Sequence, residues 1–121
     1  MAARRMAVGA ASRKVRTALP LGAPRVRPGS QRTAEALAEL FRTFADTTRT
    51  GLLLELARGE GRVSDLAERV GLSPSAISHH LHSLRLSRVV RRRRVGRAVY
   101  YRLDDEHVEA LLEAGLNHVR H

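Results

Sequence analysis

Between residues 33 and 86 the hydrophobic positions of this chain recur at helical spacing, and over residues 99–103 they alternate. Leu37, Leu40, Phe41 and Phe44 follow an i, i+3, i+4, i+7 progression. This predicts a first helix of roughly 12 to 14 residues with one apolar stripe, beginning near Gln31. A second helix, TRTGLLLELARG, is expected to turn Leu52, Leu53 and Leu56 inward, with Thr47 or Thr48 as its cap and Gly59 and Gly61 marking its end. A third, DLAERVG, spaces Leu66 and Val70 by four, with Ser64 expected as its cap and Gly71 as its terminator. The fourth, SPSAISHHLHSLRL, starts at a Ser73 cap with Pro74 in the first turn, where a missing N–H is tolerated. Its faces separate cleanly: Ile77, Leu81 and Leu84 on one side, Ser75, Ser78, His79 and His82 on the other. Residues 89–103 read VVRRRRV, then Gly96 and Arg97, then AVYYRL. Val99, Tyr101 and Leu103 alternate there with Tyr100 and Arg102, which predicts a hairpin turning at Val95-Gly96-Arg97. A last helix closes the chain within DDEHVEALLEAGLNHVRH.

A short helix, a tight Gly-Leu-Ser turn and a second helix with a polar face describe a helix-turn-helix, whose second member enters the major groove of DNA. An ordinary helical hairpin with a solvated face would share that pattern. The charged hairpin immediately behind it favours a winged helix-turn-helix, a mostly α fold with one small β-hairpin. Candidate DNA-binding residues are then Ser73, Ser75, Ser78, His79, His82 and Arg85 of the fourth helix, with Arg94 and Arg97 of the wing reaching phosphates or the adjacent minor groove. The bland alternative for the arginine run is an edge strand protected from aggregation by charge.

Composition narrows the partners. The chain has 121 residues, enough for one domain with a modest core that pairing with a second copy would enlarge. Its net charge of +10 calls for a polyanion. Residues 1–30 hold seven basic residues and no acid, and the remaining fifteen basic and twelve acidic residues leave +3. Within that remainder, Arg85 to Arg102 carries eight arginines and no acid. A disordered basic arm is expected over residues 1–30, although its Arg, Ala, Gly and Pro content also resembles a transit peptide. A single folded domain is expected over residues 31–121. The chain has no cysteine, which excludes disulfides and thiolate metal sites. No apolar run approaches the ~20 residues that span a bilayer, so a soluble cytoplasmic protein with no membrane partner is expected.

The stretch from FADTTRTGLLLELARG through LSPSAISHHLHSLRLSRVV to AVYYRLDDEHV resembles the ArsR/SmtB family of bacterial winged-helix repressors, across roughly residues 33–121. The resemblance implies a homodimer built on the first and last helices, bound to a palindromic operator in double-stranded DNA. The chain departs from the family pattern where Thr47 stands in place of a common proline, where LSRVV replaces a glycine-containing link to the wing, and in its N-terminal arm. A recognition-helix glutamine that relays the signal in related sensors has its place taken by His80.

The last helix holds ligand-type residues at both ends. His107 and His118 are eleven residues apart, which is nearly three helical turns and ~16 Å. They therefore share a stripe, with Leu111, Ala114 and Gly115 between them and His121 one turn further, yet one ion cannot touch both. An antiparallel second copy would bring the start of one helix to the end of the other, making two equivalent sites. The resemblance to zinc-sensing members of the family assigns Asp105, His107, His118 and His121 as metal ligands. Three imidazoles and a carboxylate suit Zn(II), with Co(II) or Ni(II) possible. Helix-end electrostatics alone would also favour Asp at the start and His at the end, but would not require a shared stripe.

These features together predict a repressor that binds its operator metal-free and is released by metal. The alternative is a constitutive DNA-binding regulator or architectural protein whose last helix only dimerises. A zinc hydrolase is disfavoured because four protein ligands leave no position for water, and no catalytic pair or small organic substrate is indicated.

Overall fold

The computed structural model describes residues 29–120. The expected arm, apart from its last two residues, and His121 lie outside the described residues. Five helices and a hairpin follow in order: α1 (Gln31–Phe44), α2 (Thr47–Arg58), α3 (Val63–Val70), α4 (Pro74–Leu86), β1 (Val90–Val95), β2 (Ala98–Leu103) and α5 (Glu106–Val119). The core gathers the predicted inward faces: Leu52, Leu53 and Leu56 of α2, Leu66 and Ala67 of α3, and Ile77, Leu81 and Leu84 of α4. Val89, Val90, Tyr101 and Val108 complete it from the hairpin and α5. Each such Leu or Ile contributes about 1.5–3 kcal/mol by leaving water.

Two caps differ from expectation. α2 is capped by Asp46, whose Oδ2 accepts the Arg49 backbone N–H at 2.8 Å, and Thr47 is the first helical residue. A carboxylate there also answers the partial positive charge of the helix start, which a threonine does not. α3 starts one residue before Ser64, after Arg62, which makes no side-chain cap bond. The reason is non-local. Gly61 and Tyr101 exchange backbone bonds of 3.0 and 2.8 Å, so the chain enters α3 already fixed against the wing.

The hairpin pairs Val90 with Leu103 and Val95 with Ala98 across the two-residue turn Gly96-Arg97. Gly96 has φ +63° while Arg97 does not turn positive, the pattern of a glycine-first type II′ turn. A less usual site is Arg88, the one non-glycine with positive φ (+61°) among the described residues. It ends α4 in a Schellman motif: Val89 N–H bonds Leu84 O at 3.1 Å and Arg88 N–H bonds Arg85 O at 3.0 Å.

α1 and α5 retain apolar surface. Leu37 and Phe41 of α1 stay 48% and 50% exposed, so that stripe is only partly covered by the chain that carries it. On α5, Val108 is buried and Leu112 packs against the core, while Val119 stays exposed. Among the described residues no helix is long and apolar enough to cross a membrane.

Candidate nucleic-acid interface and metal site

The α3–α4 turn sets the angle of the polar-faced helix. Gly71 takes a left-handed conformation (φ +83°), and its N–H and that of Leu72 both bond Ala67 O, at 2.8 and 3.1 Å. Ser73 then caps α4 through its Oγ, which accepts the Ala76 N–H at 3.1 Å. With Ile77, Leu81 and Leu84 buried, Ser75, Ser78, His79 and His82 stand exposed together on the opposite side. Arg85 is half-buried at the end of the same helix. α4 contains no acid, so this face offers hydroxyls and imidazoles without repelling phosphate. His80 is half-buried beside it, its ring edge-on to that of His79 with centroids 6.1 Å apart.

The arginine run of β1 divides into two kinds, which sequence reasoning missed. Arg91 Nε lies 3.2 Å from Asp104 Oδ1. Arg93 makes a two-pronged pair with Glu60 and places its guanidinium 5.5 Å from the Tyr100 ring centroid. The Arg93 hydrogen bond is the main reason the Glu60 carboxyl is held below its ordinary range, and the same bond raises Arg93. Arg94 and Arg97, the residues proposed from sequence, are exposed at the tip. Alternation along β1 hinted at this division, but the carboxylates that impose it lie on other elements.

Asp105 and His107 meet at the start of α5. Asp105 Oδ1 accepts the backbone N–H groups of His107 and Val108 at 2.9 and 3.1 Å, and its Oδ2 lies 3.5 Å from His107 Nδ1. The Val108 N–H, then His107, hold this carboxyl below the usual carboxylate range. His107 is 88% exposed and open to a further ligand. His118 is exposed on the last turn of the helix, away from the other two. Among the described residues, no group of three or more His, Asp or Glu comes together within one chain. Between the two ends, Leu111 is half-buried and Ala114 and Gly115 are exposed.

This order of elements, with a reading helix behind a tight turn and a hairpin after it, defines a winged helix-turn-helix protein. Residues 46–92 match the family described as bacterial regulatory protein, arsR family. The HTH-type transcriptional regulator KmtR of Mycobacterium tuberculosis is 46% identical over 76 residues, covering 63% of this chain and 58% of its own length. The chain thus spans less than two thirds of that relative. The crystal structure of the AntR antimony-specific transcriptional repressor superposes with a TM-score of 0.73 at 35% identity, covering 85% of this chain and 94% of its own. The homodimeric winged helix-turn-helix DNA-binding domain of Mb0332 from Mycobacterium bovis does so at 0.69 and 28%, covering 78% and 91%. The chain belongs to the arsR family of bacterial regulatory proteins, a family of transcriptional regulators and not of enzymes.

Proposed function

We propose that this protein is a metal-responsive transcriptional repressor of the bacterial cytoplasm, which binds a palindromic operator as a homodimer when metal-free and is released by Zn(II). Residues 31–121 form its DNA-binding and sensing domain, with the basic arm as an appendage. Ser75, Ser78, His79 and His82 lie near base edges, Ser73 and Arg85 flank them, and Arg94 and Arg97 engage the backbone. The metal is held by Asp105 and His107 of one copy with His118 and His121 of the other.

One observation carries this reading. Asp105 and His107 open α5 and His118 ends it, on a helix whose intervening Ala114 and Gly115 leave room for a second helix to approach. The donor chemistry fits. Asp105 is kept ionised by amides that occupy one oxygen, leaving the other beside the exposed His107 imidazole. A carboxylate with imidazoles and no thiolate suits Zn(II), with Co(II) or Ni(II) as weaker fits. When bound, the ion would supply a four-coordinate crosslink between the two closing helices. The half-exposed Leu37 and Phe41 supply the apolar contact that brings the copies together. Linkage then requires DNA to weaken metal binding by the factor by which metal weakens DNA binding.

A second reading has its own support: the Asp105 carboxylate is already used as a helix cap, which needs no metal. In that case the protein is a constitutive DNA-binding regulator whose last helix only dimerises. Titration of operator binding with and without Zn(II), repeated on His118→Ala, decides between them. Zinc-driven release that disappears in His118→Ala supports the sensor, and affinity indifferent to zinc in both proteins overturns it.

A further inference from the structure

Among the described residues Thr43 of α1 is the one buried polar side chain. Its hydroxyl lies 3.2 Å from the Glu39 carbonyl one turn back and 3.3 Å from the hydroxyl of Ser87, the residue that ends α4. A hydroxyl has one proton and a carbonyl can only accept, so both contacts are satisfied when Thr43 donates to Glu39 O and Ser87 donates to Thr43. The pair is thus a directed hydrogen bond between the first helix and the end of the reading helix, 44 residues apart in sequence.

Both ends of this bond are fixed. The last carbonyls of α1 are taken by side chains of α2: Arg49 donates to Thr43 O and Arg42 O at 3.1 and 3.2 Å, and Thr50 Oγ1 donates to Phe44 O at 2.7 Å. On the other side, the Ser87 N–H bonds Ser83 O at 3.1 Å, and the chain then turns sharply at left-handed Arg88. The bond therefore joins two determined helix ends and not two loops. α1 also carries Leu37 and Phe41, the half-exposed face given above to the dimer contact.

We infer that Thr43 and Ser87 are positioning residues that lock the reading helix at a set angle to the dimer helix, and so determine the half-site spacing the dimer accepts. This deepens the proposed function and rests on its dimeric operator reading. Neither side chain is assigned a DNA contact in this reading. They act by making α4 follow α1 as one body, so that the geometry between the two copies is passed to the reading heads.

The test selects a two-fold duplex with the wild-type protein from a randomised DNA library. Affinity is then measured for that duplex and for versions with one base pair added or removed at the centre. Thr43→Val removes the hydroxyl at nearly constant shape, and Ser87→Ala removes its partner at a solvent-accessible helix end where folding is not at risk. The expected result is about fivefold weaker binding to the selected spacing in both variants. The penalty for the altered spacings should shrink, binding to random duplex should be unchanged, and Thr43→Ser should restore the wild-type profile. A spacing profile in Ser87→Ala identical to wild type overturns the inference alone. Failure of the wild-type protein to select any two-fold duplex overturns the dimeric reading and the inference with it.

Discussion

Asp105 and His107 divide the work of one carboxylate: Oδ1 receives the His107 and Val108 amides, while Oδ2 stands 3.5 Å from the His107 ring nitrogen. Capping and the proposed ligation can therefore be separated by mutation. Asparagine caps as well as aspartate but carries no charge. Asp105→Asn is expected to keep the cap and lose only the small charge-dependent part of its stability while losing zinc affinity at least tenfold, and Asp105→Ala to lose the cap and the zinc affinity together. Differential scanning calorimetry with zinc titration reads the two effects on the same samples.

The same carboxylate gives a pH signature. Its pKa is lowered in the folded chain, chiefly by the Val108 amide, so its contribution to stability is present above the unfolded value of about 4 and is lost as pH falls through the lower folded value. Glu60, lowered by Arg93, acts in the same direction. Urea melts of the metal-free protein should therefore show stability declining below about pH 4. The decline should be shallower in Asp105→Asn with Glu60→Gln, and an unchanged slope in that double variant would remove both groups as its source.

The wing arginines should behave as two classes. Arg94 and Arg97 are exposed at the tip, whereas Arg91 and Arg93 are held by Asp104 and Glu60. Arg94→Ala or Arg97→Ala is expected to weaken DNA binding about equally for all sequences and to reduce the salt slope by about 1 each. Arg91→Ala and Arg93→Ala should reduce it by less, since their charge is already partly neutralised. Anisotropy titrations across a range of KCl concentrations separate the classes.

At Arg88 a side chain occupies a left-handed position that glycine fills without strain. Arg88→Gly should stabilise the domain by about 0.5–1 kcal/mol, a rise of a few degrees in Tm. A drop in Tm would show that the Arg88 side chain makes a contribution larger than the strain it bears.

Much of this fold was legible because its helices bury one face each. Ile77, Leu81 and Leu84 announced the inner side of α4 by spacing alone, and Ser75, Ser78, His79 and His82 the outer. The tight turn and hairpin were equally plain in Gly71-Leu72-Ser73 and Val95-Gly96-Arg97. What escaped was decided by competition or by distance. Asp46, Thr47 and Thr48 can each cap a helix, and only the backbone path selects Asp46. Ser64 is overruled by a bridge from Gly61 to Tyr101, forty residues downstream. Glu60 and Arg93 are 33 residues apart, so no local pattern could reveal that β1 spends part of its charge internally. Of the proposed ligands, Asp105 and His107 are brought together because a single residue separates them at a helix start, whereas His118 is carried off by the rise of the same helix.

Leu37 and Phe41 also bear on how the protein must be handled. If two copies meet through a first helix that keeps two large apolar side chains half in water, as proposed, the melting point should climb with the protein's own concentration. Dilution would then lower its stability. The quantity of this regulator in a cell would set its durability as well as its occupancy of DNA.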